Sequence, residues 1–270
     1  MATTTPSVIP ETRARLAAHW AANVPASVAS HLLTPEPDYG HTALRWRDGL
    51  GLVSASIDGM FRVGLSLEKG EVFVARDAVV VASFSLDAQT LQDAIDRLAV
   101  TLFEAGGAKK SLPVPLLDLT RPPHVVAEGA GFEVDLGQWS ALSNWFGFAA
   151  RRLERERAQH DTASALRCWP HHFDIGALWT LDEEPDPEKA RSVGIGLSPG
   201  DELISDPYFY VLPWPKPEAR PSLPVGSWEG GFMVLEATEI LSGDPVFTVD
   251  RFLGEVSSIA TELVSGGRAG

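Results

Sequence analysis

Val63-Gly64-Leu65-Ser66-Leu67-Glu68-Lys69-Gly70-Glu71 aligns without gaps on Val193-Gly194-Ile195-Gly196-Leu197-Ser198-Pro199-Gly200-Asp201. In both copies the apolar residues fall on alternate positions, Val63, Leu65 and Leu67 in one and Val193, Ile195 and Leu197 in the other. That is the period of a strand with one buried face. Each copy closes in turn chemistry. Lys69-Gly70 suits a hairpin, and Ser198-Pro199-Gly200-Asp201 fits a type I or II turn with proline second. Two further pairs flank this one in the same order: Ala43-Leu44-Arg45 with Ala165-Leu166-Arg167, and Phe84-Ser85-Leu86-Asp87 with Phe247-Thr248-Val249-Asp250, each of the latter leading into a helix. Three matches in order predict an internal duplication.

The pattern extends outward from the first copy. Leu52, Ser54 and Ser56 alternate with Val53, Ala55 and Ile57, and Asp58-Gly59 supplies another turn. Thr42 to Phe84 therefore reads as an antiparallel meander of four or five strands. A helix follows from Asp87, its expected N-cap, to Ala105, with Leu91, Ala94, Ile95, Leu98, Leu102 and Phe103 as its apolar stripe. In the second half Phe252, Val256, Ile259, Ala260 and Leu263 keep such a stripe.

Residues 10–33 read as helix, starting at Pro10 and divided in two by Pro25. Gln138 to His160 reads as a helix with an aromatic, packed first half and a charged, solvated second half. Residues 107–136 are interrupted by glycine and proline and take no assignment. The expected fold is α+β: two internally duplicated antiparallel β-meander-plus-helix units packed together, with additional N-terminal and central helices. The expected organisation is a single globular domain over 1–270, with halves 42–106 and 164–265, an N-terminal helical segment 10–33 and a central connection and helix 107–160.

With 44% hydrophobic and 21% charged residues, the 270-residue chain has the composition of a folded globular protein rather than a disordered one. Its formal net charge of −14 disfavours phosphate backbones and anionic lipid, so no nucleic-acid or membrane partner is expected. The same charge leaves room for cationic ligands. The one cysteine, Cys168, cannot form an intrachain disulfide and reads as a small buried apolar residue. Met1 to Pro10 shows no signal-peptide pattern, and the default setting is cytoplasmic.

The candidate site follows from alternation in the second half. Taking Phe173 to Thr180 as strand, His172, Asp174, Gly176 and Leu178 share one face. Gly194, Gly196 and Ser198 take that face in the next strand, and Tyr208 and Tyr210 in the one after. His172, Asp174, Tyr208 and Tyr210 would then stand around a glycine floor, with Trp228 brought back as an aromatic lid. A His and an Asp two apart on a strand are about 7 Å apart at Cα. They suit a structural polar pair, a ligand pocket, or a base and its orienter. No metal set is assigned, because alternation sends His171 away from His172 and Asp174, and Asp201 or Glu202 would have to complete it.

Two motif matches carry no function. Gly196-Leu197-Ser198-Pro199-Gly200 satisfies the G-x-S-x-G nucleophile elbow, but Pro199 has no N–H to give an oxyanion hole. Gly194, Gly196 and Gly200 have the wrong spacing for a dinucleotide fingerprint. Pro213 to Pro224 reads as an extended, proline-stiffened connection.

Trp169-Pro170-His171-His172-Phe173-Asp174, Ser198-Pro199-Gly200-Asp201, Pro207-Tyr208-Phe209-Tyr210 and Pro213-Trp214, in this order, resemble a bacterial family of conserved hypothetical proteins. The first segment is also distantly similar to a domain-of-unknown-function family with a His-Phe-x-x-x-Phe-Asp element. The resemblance covers chiefly residues 165–235 and implies membership and a site location, without an activity. The expectation for function is a protein that binds a small polar ligand, either as a binding protein or as an enzyme using the His172–Asp174 pair. Its cofactor and oligomeric state are left unknown. A non-catalytic protein–protein interaction module is the alternative.

Overall fold

In the computed structural model the described residues are 5–109, 113–184 and 189–266. They divide into two units. One holds residues 10–143 and 167–173; the other holds 5–9, 144–166 and 174–266 within the described range.

The first unit opens with α1 (Thr12–Leu32), a continuous helix. Pro25 lies inside it and does not divide it, contrary to the sequence expectation. An interior proline forfeits one hydrogen bond and costs about 3 kcal/mol. Here nearly every residue from Ala14 to Ala29 is buried, and seven of those are alanines that allow close approach to α2 and β3. Burial of the whole helix offsets the local break.

The meander has five strands: β1 (Arg45–Arg47), β2 (Gly51–Val53), β3 (Phe61–Ser66), β4 (Glu71–Arg76) and β5 (Val79–Ser85), paired antiparallel in chain order. On one sheet face Val63, Leu65, Val72 and Val74 are fully buried. On the other, Phe73 stands opposite Gly64 and packs with Val53, Ala75 and Leu50. The Asp58-Gly59 and Lys69-Gly70 turns use positive φ as expected, at Asp58 (47°), Gly59 (77°) and Gly70 (64°). The β4–β5 hairpin turns on Asp77 and Ala78, at φ 49° and 67°, without a glycine.

The next helix, α2 (Leu91–Glu104), starts later than expected. Its N-cap is Thr90, whose hydroxyl accepts the Asp93 N–H and donates to the Asp93 carboxylate, a reciprocal cap. Asp87, the expected cap, instead accepts the Val134 N–H. Leu91, Ala94, Ile95, Leu98 and Leu102 are buried, whereas Phe103 is exposed. Residues 113–135 stay irregular apart from a 3-10 turn at Val125–Glu128. The helix α3 (Leu136–Arg157) gives its first part to this unit, and β6 (Arg167–Cys168) completes it. Cys168 is buried and exchanges two backbone hydrogen bonds with Leu44.

The second unit takes the remainder of α3, then β7 (Ile175–Thr180), β8 (Ser192–Ser198), β9 (Tyr208–Trp214), β10 (Ser227–Glu229), β11 (Phe232–Glu236), α4 (Ala237–Leu241) and α5 (Pro245–Ser265). Its strands run β10-β11-β9-β8-β7, all antiparallel. Helix α5 packs on β8, β9 and β11, and Phe148 of α3 meets Phe209 edge-on at 6.2 Å between ring centres. Pro213 belongs to β9, so the extended proline-rich connection starts after Trp214.

The duplication holds at the level of topology. The order β2-β3-β4-β5 followed by α2 matches β7-β8-β9-β11 followed by α5, with β10 added outside β11. The aligned nonapeptides occupy β3 and β8 with their following turns. The third matched pair does not correspond, however. Phe84 and Ser85 end a strand, whereas Phe247 to Asp250 lie inside α5, whose cap is Asp244 followed by Pro245. No helix among the described residues is long and apolar enough to cross a membrane.

A two-residue hairpin with both residues at positive φ favours glycine in the second place. Replacing Ala78 by glycine relieves the Cβ contact that makes this conformation costly for alanine. We expect Ala78→Gly to stabilise the protein by about 0.5–1 kcal/mol in urea unfolding with an unchanged m-value. A loss of stability would contradict the turn geometry.

Candidate functional site

The register of the second sheet decides where the expected site residues go. Gly176 pairs with Gly196, and Gly196 with Tyr210; Ser198 pairs with Tyr208. Tyr208 and Tyr210 therefore share a face with the glycines, as alternation predicts. That floor is filled, however. A Cβ at Gly196 would come within 2.3 Å of the Tyr210 ring and hydroxyl, and one at Gly176 within 2.7 Å of the same hydroxyl. The glycines make room for a tyrosine of their own sheet.

The polar tips form two hydrogen-bonded groups. The Tyr210 hydroxyl donates to Asp174 Oδ2 at 2.6 Å, and the Tyr208 hydroxyl donates to Asp201 Oδ2 at 2.5 Å. Ser198 Oγ donates to Asp201 Oδ2 at 3.2 Å and accepts the Gly200 N–H at 3.2 Å. Burial, then the bond to Asp201 and its charge, raise the Tyr208 pKa well above its ordinary value, so this phenol stays protonated. Gly200 has φ 110°, which fits the type II form of the expected turn. Ser198 is a turn residue here, as its sequence context indicates.

His172 does not join this face by alternation. The strand β7 begins at Ile175, and Phe173 has φ 58°, which breaks the extended run before it. His172 sits exposed in a turn closed by two N–H groups, its own and that of Phe173, both donating to the Trp169 carbonyl at 3.1 and 2.7 Å. Asp174 and His172 are thus separated by a backbone reversal that the residue pattern does not announce. Trp228 pairs with Met233, which pairs with Val211, and this puts it on the sheet face opposite Tyr210. Its indole N–H donates to the Pro221 carbonyl at 2.9 Å, and Arg220 stands over its ring. It closes the proline-rich loop rather than the tyrosine face.

The turn Trp169–Phe173 is held by α1. His19 Nε2–H donates to the Pro170 carbonyl at 2.9 Å, and the His19 ring stacks on Phe173 at 5.3 Å. Phe173 is 1% exposed, and a bulky residue at positive φ is rare. Burial of its ring against His19 holds it there. Arg121 donates to Asn23 Oδ1 at 2.7 Å, and Asn23 donates to the His19 carbonyl at 2.9 Å. Burial lowers the His19 pKa to about 4 against the opposing effect of the Pro170 bond. Burial, then the charges of His172 and Arg121, lower His171 to about 4, and its Nδ1 is buried without a hydrogen-bond partner.

A cavity of about 570 Å³ lies in the first unit, where the sequence offered no motif. The start of α1 lines it with Glu11, Arg13, Ala14 and Ala17; the irregular segment adds His124, Val125, Glu133 and Val134; Asp87, Asp135 and Leu136 complete the rim. Arg13 and Glu133 form an exposed ion pair. Asp135 caps α3 by accepting the Gln138 N–H at 3.0 Å. His124 Nδ1 accepts the Val126 N–H at 3.3 Å, which leaves Nε2 to carry the proton of the neutral ring. Burial first, then Arg13, lower the His124 pKa, so the ring is neutral at pH 7. Four carboxylates face one guanidinium around an apolar floor of alanine and valine.

Among the described residues no group of three or more His, Cys, Asp and Glu side chains is placed to hold a metal ion. Comparison with family models, with curated proteins and with solved structures gives no match.

Buried His19 and half-buried His171 set a pH dependence. Unfolded, they titrate near 6.5; folded, near 4. Between these values the unfolded chain binds more protons, so stability is lost as pH falls from about 6.5 to 4 and levels off below. The extra uptake on unfolding should approach ~2 protons near pH 5. In urea melts between pH 7 and 4.5, His171→Gln should remove close to half of the slope and His19→Gln a similar share. A slope unaffected by either substitution would contradict the burial of these rings.

Proposed function

We propose that the protein binds a small polar ligand in the cavity between the start of α1 and residues 124–136, and that the ligand carries a positive charge and an apolar body. The observation behind this reading is the cavity's lining: an apolar floor, a neutral histidine with one ring N–H, and an excess of three carboxylates over guanidinium. Concave apolar surface with a few converging polar groups is the usual form of a small-molecule site. The low effective dielectric of a recess strengthens the attraction for a cation. The acidic balance of the whole chain acts in the same direction. On this reading the ordered motifs of residues 169–214 mark a family by a shared packing network rather than by a shared reaction. A cytoplasmic setting and the absence of nucleic-acid and membrane partners belong to the same proposal.

The alternative, an interaction module, is favoured by a separate observation, the uncovered edge strand β5.

Phenethylammonium and 3-phenylpropanoate are probes of similar shape and opposite charge. In titration calorimetry the ammonium should bind, and the carboxylate should bind at least about tenfold more weakly. Glu11→Lys, at an exposed rim position, should weaken the ammonium about tenfold or more without changing the melting temperature by more than ~2 °C. Equal affinity for both probes, or no binding by either, would overturn the reading.

A further inference from the structure

We infer that β5 is a self-association edge, and that a second copy of this chain pairs with it antiparallel to form a closed two-fold dimer. Strand β5 is last in its sheet and has β4 as its one neighbour among the described strands. Its outer N–H and C=O groups are therefore a template for another strand. Val79, Val80 and Val81 are 65%, 40% and 50% exposed. Val79 and Val80, at successive paired positions, point to opposite faces, so neither face of this end is covered. Met60, next to the Asp77 turn, and Val100 and Phe103 of α2 add further exposed apolar surface in the same unit.

Charge selects the occupant. Two copies of a chain with a net charge of −14 repel unless they meet where charge is absent or balanced. No residue from Val79 to Ser85 is charged. The two ends are balanced and reciprocal. The hairpin end carries exposed Arg76 and Asp77; the other end carries exposed Asp87 and, over the Phe84 ring, Arg97. Antiparallel pairing brings the first end of one copy to the second end of the other. Each junction then holds two cations and two anions and is electrically balanced, twice, under the two-fold axis.

The edge bears no lysine or proline, two common protections against pairing. It does bear a bulge, because Val74 pairs with Ala82 and Ala75 with Val80, leaving Val81 as the extra residue. The bulge limits the regular stretch to a short one, which suits a two-chain closure rather than a growing fibre. The opposite edge of the sheet, β1, is only three residues long.

Sedimentation velocity from about 1 to 200 µM should show a shift from the 29.1 kDa monomer towards twice that mass. The doubly substituted Val79→Lys, Val81→Lys protein changes exposed side chains only and should keep its circular dichroism. It should dimerise at least about tenfold more weakly. Amide exchange should slow in β5 as concentration rises in the wild type and not in the variant. A wild type that stays at 29.1 kDa throughout, or a dimer that survives both lysines unchanged, would overturn the inference.

Discussion

A glycine in a central strand with an aromatic ring laid over it is the contact on which both sheets depend. In the first unit Phe73 of β4 covers Gly64 of β3, where a Cβ would come within 2.4 Å of the ring. In the second, Tyr210 of β9 covers Gly196 of β8 in the same cross-strand manner. A slip of one residue would drive each ring against a branched side chain, Val63 or Leu65 in one case and Ile195 or Leu197 in the other. The glycine therefore fixes the register, and the register fixes which side chains face the core. In the second sheet it also aims the Tyr210 hydroxyl at Asp174.

Much of this was legible in the residues because it rests on short-range rules. Period-2 alternation placed β3 and β8, and the glycine-containing turns at 58–59 and 69–70 formed as their chemistry requires. The faces of Tyr208 and Tyr210 followed from the same alternation. What escaped was decided by burial from a distance. Pro25 stays within a helix because the helix is enclosed along most of its length. Ala78 takes a conformation that glycine prefers because the hairpin around it closes after two residues. Phe173 turns back at positive φ because its ring is stacked against His19, more than a hundred residues earlier. No local pattern records that contact, and without it His172 and Asp174 read as strand neighbours.

The same distinction explains why the ligand is assigned away from the most conspicuous residues. The tyrosines of the second half bond its aspartates, and Tyr210 fills the space over the glycines, so that face offers no open floor. The cavity of the first unit is assembled from a helix start, a 3-10 turn and a loop that share no motif, and its carboxylates come from three separate stretches of chain. The recognition proposed there rests on charge and shape. Its counterpart on the outside is β5, where the absence of charge over seven residues is the informative feature in an acidic chain.

The glycine floor of the second sheet exists to seat Tyr210. A double-mutant cycle on Gly196→Ala and Tyr210→Ala, read by urea unfolding, tests it most directly. With Tyr210 present, the alanine methyl must displace the ring, and Gly196→Ala should cost about 2 kcal/mol. With Tyr210 replaced by alanine, the same change should be neutral or slightly stabilising, because alanine loses less chain entropy than glycine in a strand. The coupling should then be about 2 kcal/mol. An equal cost of Gly196→Ala in both backgrounds would show that the ring does not rest on this glycine, and would reopen that face of the sheet as space for a ligand.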